Sequence, residues 1–221
     1  MIRIFLCVIL ISLVLAGCNR KDASINMEEG QAASEMTGAQ ISDALDKEIQ
    51  AIAKRDFRKT NWGMDKKTVK LTEPDDPSSE EDSAMIYSRK VAGMNALIGY
   101  IFAQDKLVRA KYMFHQDHDD LNAYITDQDN IKKALAKRYG KPAKERTVWT
   151  NELYKKIPSQ WGIALGEGYV TFISVWETAK TEISLTLKGE KGKTDLWLEY
   201  KSKALAKLEQ PDRGEGSPAR K

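Results

Sequence analysis

Downstream of residue 38 the chain switches between two hydrophobic periods, and each switch marks a new element. Ile41, Leu45, Ile49 and Ile52 recur at helical spacing among Asp43, Lys47, Glu48 and Lys54, which predicts an amphipathic helix over 39–56. Thr37 and Gln40 stand as a capping box at its start. Trp62-Gly63-Met64-Asp65 reads as a turn into a short second helix that Asp65 caps, with Val69 facing inward and Pro74 stopping it. The acidic run Asp75 to Asp82 has no apolar period and reads as a solvated loop, without the glycine-punctuated ligand spacing of a calcium loop.

From Ala84 the period is two. Met85 to Val91, Leu97 to Gln104 and Leu107 to His115 are predicted strands, and Ala92-Gly93 and Asp105-Lys106 punctuate them as an antiparallel meander. In the third strand Val108, Ala110, Tyr112 and Phe114 share one face while Arg109, Lys111 and His115 share the other. A long helix follows over 120–139, with Leu121, Tyr124, Ile125, Ile131 and Leu135 as its buried stripe, acids in its first turn, and Gly140 and Pro142 at its end. Strands are then predicted at 146–150, 169–176, 182–188 and 194–201, with Gly166-Glu167-Gly168 as a hairpin turn and Trp176 inward beside Val170 and Phe172. Residues 209–221 are a Pro-, Gly- and charge-rich tail with the composition of a disordered end.

Helices segregated from runs of strands predict an α+β fold: an antiparallel sheet of about seven strands with helices packed on one face. The repeated order of helix then meander suggests two tandem units, 39–116 and 117–208, within one domain at 39–208.

The amino-terminal pattern is different. Ile4 to Ala16 is apolar apart from Ser12 and follows Arg3, too short for the ~20 residues that cross a bilayer core and fitting for a cleaved secretory leader. Leu15-Ala16-Gly17-Cys18 at its end resembles the lipobox of bacterial lipoproteins. The resemblance implies a signal peptide over 1–17, cleavage between Gly17 and Cys18, and acyl chains on the Cys18 sulfur and new amino terminus. Two or more chains hold a protein stably on a membrane where one does not. Residues 18–38, poor in large apolar side chains, then serve as a flexible tether. By resemblance to the enteric sorting rule, in which Asp after the cysteine favours inner-membrane retention, Asn19 at that position implies the outer membrane, with the chain facing the periplasm.

Two further resemblances concern layout. Gly63-Met64-Asp65-Lys66-Lys67-Thr68-Val69 resembles the Gly-Met-(Ser/Thr)-x-x-x-Val helix start of the SmpA/OmlA lipoproteins of the outer-membrane barrel-assembly machine, with Asp65 in place of Ser or Thr and Glu73-Pro74 without the usual Gly-x-Pro. The duplicated layout resembles that of beta-lactamase inhibitor proteins, whose sheet binds a protein partner. The Trp-Gly-Met start is also similar to that of uncharacterised envelope lipoproteins.

Composition narrows the chemistry. The formal net charge of +3, from 35 Lys and Arg against 32 Asp and Glu, shows no basic excess of the kind nucleic-acid binding needs. Cys7 leaves with the leader, so a processed chain has no intramolecular disulfide. His115-Gln116-Asp117-His118-Asp119-Asp120 holds both histidines, and His115, His118 and Asp119 are candidate zinc ligands with a position open for water. The same stretch also reads as a strand-to-helix loop in which Asp119 or Asp120 caps the helix. No serine lies in a Gly-x-Ser-x-Gly elbow and no glycine-rich phosphate loop is present.

Two functional expectations result. The first is a non-catalytic, lipid-anchored binding or scaffold protein, without cofactor, attached to the membrane through Cys18 and contacting an envelope protein. Its candidate contact residues are Ser184, Thr186, Trp197 and Glu199, each alternating with an inward aliphatic or aromatic residue. The alternative is a metal-dependent hydrolase built on the His115 and His118 loop.

Overall fold

In a computed structural model of the chain the described residues are 36–51 and 55–209. The expected leader, Cys18, most of the tether and the tail beyond 209 lie outside them. The first half contributes α1 (Gly38–Ala51), α2 (Lys66–Thr72), β1 (Ser79–Glu81), β2 (Ala84–Val91), β3 (Met94–Ala103) and β4 (Lys106–Phe114). The second contributes α3 (Asn122–Tyr139), β5 (Lys144–Trp149), α4 (Trp161–Gly166), β6 (Val170–Glu177), β7 (Thr181–Glu190) and β8 (Lys193–Ser202), with short 3-10 turns at Pro158–Gln160 and Ala206–Glu209.

The strands form one antiparallel 8-stranded sheet in the order β1-β2-β3-β4-β8-β7-β6-β5. Each half is a meander, and the two meanders meet where β4 pairs with β8. α3 lies over β6, β7 and β8, α1 packs beside α3 and over β2, and α4 covers β6, β7 and β8, so the helices occupy one face. Between them and the sheet sits a continuous core in which Met85, Ile98, Tyr100, Tyr112, Leu185, Leu198, Tyr200 and Trp176 from the strands meet Leu45, Val69, Ile131, Leu135 and Leu165 from the helices. A sheet with one covered face must alternate, and it does: β6 and β8 exchange buried and partly exposed positions along most of their length.

Local chemistry explains the boundaries. The Thr37 amide donates to Gln40 Oε1 at 2.8 Å and the Gln40 amide to Thr37 Oγ1 at 3.4 Å, the reciprocal box that starts α1. Asp65 accepts from the Thr68 amide at 2.9 Å and its hydroxyl at 2.7 Å, capping α2. Ala92-Gly93, Gln104-Asp105 and Lys191-Gly192 all have positive φ, as two-residue hairpin turns that follow the twist of their strands require. The second of these turns lies one residue before the expected Asp105-Lys106.

Four expectations are corrected. The acidic run 75–82 is not all loop: β1 lies inside it, its exposed Ser-Glu-Glu without apolar alternation and held by backbone pairing to β2, so the about seven strands expected become eight among the described residues. The first helix does not reach residue 56: residues 55 and 56 are bends, and Phe57 pairs with Thr60 so that its ring enters the core. There Tyr100, Tyr112 and Tyr200 surround it at centroid distances of 5.5, 5.1 and 5.2 Å. Gly166 to Gly168 is not a hairpin turn but the exit of α4, whose buried Ala164 and Leu165 face the sheet. No acid lies in the first turn of α3; Asp120 instead accepts from the Asn122 amide at 2.9 Å ahead of it.

Candidate functional site

The face of the sheet opposite the helices carries the candidate contact residues. Strand register sets them in rows. Ser88, Leu97, Met113, Trp197, Thr186, Ile173 and Arg146 stand opposite one another in turn from β2 to β5. The adjacent row runs Ile86, Gly99, Lys111, Glu199, Ser184, Val175 and Lys144. Ser184, Thr186, Trp197 and Glu199 are thus direct neighbours, because β7 and β8 pair across the short Lys191-Gly192 turn.

Their surroundings differ. Trp197 is half-buried, with the Lys188 ammonium 5.6 Å from its ring centroid. Thr186, flanked by Trp197 and Ile173 on the neighbouring strands, is only 9 % exposed. Glu199 is partly covered and lies 3.6 Å from Arg109. Beside Trp197 a cleft of about 300 Å³ opens, bounded by Met113, Lys111, His115, Lys188 and Asp195.

The histidine stretch divides. β4 ends at Phe114, so His115 continues the strand for one residue, its amide donating to the Asn95 carbonyl at 2.9 Å and its exposed side chain lining the cleft. His118 turns the other way, with Nε2 2.7 Å from Asp127 Oδ2 and its ring edge-on to Tyr124 at 4.7 Å. Tyr124 fastens the loop by donating to the Gln116 carbonyl at 2.9 Å. Asp119 is exposed. His115, His118 and Asp119 are therefore not assembled as a ligand set. Among the described residues, no group of three or more His, Cys, Asp or Glu is placed to hold a metal.

A buried ionic cluster was not legible from the sequence. Glu73, its side chain 2 % exposed, lies 3.1 Å from Arg58 Nε and 2.7 Å from Arg89 Nη1, and accepts from the Tyr100 hydroxyl. Arg58 also pairs with Glu48 on α1. Burial, then the neighbouring Glu73 charge, push the Tyr100 hydroxyl far above its ordinary value, so it remains a donor. Burial works against the Arg58 charge, but Tyr112, Glu48 and Glu73 outweigh it and hold the guanidinium protonated. The cluster ties α1, the end of α2, β2 and β3 together.

Among the described residues no helix is long and apolar enough to cross a membrane. Compared with protein-family models, curated proteins and solved structures, the chain matches none.

Proposed function

We propose that this chain is a lipid-anchored lipoprotein of the bacterial cell envelope, facing the periplasm from the outer membrane, that binds a protein partner through the open face of its sheet and performs no catalysis. The observation that carries the reading is the row Leu97, Met113, Trp197, Thr186 and Ile173, an apolar and aromatic band on the face that none of the described helices covers. Charged residues border it on both sides, as Lys188 and Asp195 do at one flank and Lys111 and Glu199 at the other. An apolar centre with a polar rim and a central tryptophan is the anatomy of a protein contact surface. The lipobox resemblance at Leu15 to Cys18 supplies the address.

The test is photo-crosslinking in cells with a reactive residue placed at Ser184 on the open face or at Lys67, exposed on α2. Crosslinks to one envelope protein from position 184 and not from 67 are the expected result. Crosslinks from 67 alone, or none from 184, overturn the open-face reading.

A further inference from the structure

Resting on that open-face reading, we infer that the cleft beside Trp197 receives an acidic segment of the partner protein, with an apolar side chain seated on Trp197 and Met113 and flanking carboxylates held by Lys111, Lys188 and His115. The charge distribution selects the sign. At the cleft and directly beside it the carboxylates are already answered: Asp195 lies 3.8 Å from Lys188 and Glu199 lies 3.6 Å from Arg109. Lysine and arginine are in surplus. Among the described residues Lys111 has no carboxylate within ion-pairing distance, Arg146 ends the Trp197 row on the edge strand β5, and His115 adds a ring nitrogen able to donate a hydrogen bond. Lys188 reaches over the Trp197 ring, which places an ammonium at the mouth of an apolar floor.

Shape separates a peptide from a lipid surface. The site is concave, and about 300 Å³ is at the small end of ligand pockets, the room of a side chain or two rather than a bilayer contact. Membrane insertion needs protruding apolar side chains. The exposed large hydrophobics of the described residues, Leu71, Leu153, Ile157 and Ile163 among them, are not in this cleft, and Trp197 is half-buried. Open backbone is not on offer here either, since β4 and β8 are paired on both sides, so recognition falls to side chains.

The test uses the full chain, purified in a nonionic detergent and presented with a random heptapeptide library. Enriched peptides are expected to carry an apolar residue flanked by Asp or Glu, and their affinity is expected to fall as salt rises. Lys111→Glu with Lys188→Glu should weaken them by about tenfold or more, the neutral Lys111→Gln with Lys188→Gln pair by less, with the thermal midpoint little changed because both lysines are at the surface. Neutral or basic peptides, acidic peptides that bind the charge-reversed chain equally well, or no enrichment at all overturn the inference. Neutral peptides whose binding is lost in Trp197→Ala would leave the open-face reading standing and remove only the acidic one. Retention on phosphatidylglycerol vesicles through the same lysines, without peptide enrichment, would overturn it in favour of a lipid surface.

Discussion

Met113 on β4 and Trp197 on β8 stand directly opposite one another on the face away from the described helices, at the one strand pair that joins the two meanders. The cleft wall is therefore built from both halves of the chain, and its form depends on the β4–β8 register. A slip of one residue would turn Trp197 to the helices and Leu196 or Leu198 to solvent, exchanging the two faces. The aliphatic partners Leu196 and Leu198, both buried, hold the register that presents the tryptophan.

Trp197→Ala tests the anchor role. Crosslinking from position 184 should fall in a way that corresponds to about 2 kcal/mol or more of lost affinity, whereas a half-buried face residue should cost roughly 1 kcal/mol in a denaturant titration. A variant that loses several kcal/mol of stability and still binds would make this tryptophan a cover for its own sheet.

Glu73→Ala removes the acceptor shared by Arg58, Arg89 and Tyr100, and leaves Arg58 with Glu48 and Arg89 with the exposed Asp75 as their remaining carboxylates. A loss of about 3 kcal/mol is expected by urea unfolding, since removing the buried member of a charge cluster leaves its positive charge only partly compensated. Tyr100→Phe, which deletes one donor, should cost about 1–2 kcal/mol. Equal, small losses in both would show that water replaces the cluster at no cost.

Gly189→Ala is a packing test at the end of β7. A Cβ there would collide with the Leu165 carbonyl oxygen of α4, a backbone atom that cannot turn aside. The expected loss is about 2 kcal/mol or more. Gly192 in the following turn, with φ +77 and open space around it, meets only backbone strain, so Gly192→Ala should cost about 1 kcal/mol. Thermal midpoints that reverse this order would mean that α4 is not seated against β7.

Asp65 links stability to acid pH. Hydrogen bonds from the Thr68 hydroxyl and amide hold its carboxyl below the ordinary value of 3.8. A folded-state value below the unfolded one means that the stabilisation is present in full above about pH 4 and disappears as pH falls through the lowered value. Wild type should exceed Asp65→Ala in stability at pH 5, and the gap should close toward pH 2. A gap that is constant across that range would assign the cap to a pH-independent contact.

Cys18→Ser addresses the anchor implied by the lipobox resemblance. The variant should take up no labelled fatty acid and leave the membrane fraction, because no acyl chain can be attached. Equal label in wild type and variant would end the anchor reading.

What could be read from the chain alone was whatever a local period decides. Ile183, Leu185 and Leu187 turn inward while Ser184 and Thr186 turn outward because a strand alternates, whichever strand lies beside it. Caps were legible for the same reason: Thr37 with Gln40 and Asp65 with Thr68 are three residues apart, within reach of one helical turn. β1 was hidden because three polar residues carry no period, and α4 because six residues of Trp-Gly-Ile-Ala-Leu-Gly are too few to separate a helix from a strand. Company in space was left to the tertiary structure. His115 and His118 are neighbours in sequence yet part, since one prolongs β4 and the other turns to Asp127 on α3. Glu73 meets Arg58, Arg89 and Tyr100, and Trp197 meets Met113 and Lys188, only because long-range strand pairing and the burial of Phe57 bring distant segments together. A hydrophobic period states which way a side chain faces, but the partner it finds there is set by register and packing across the whole sheet.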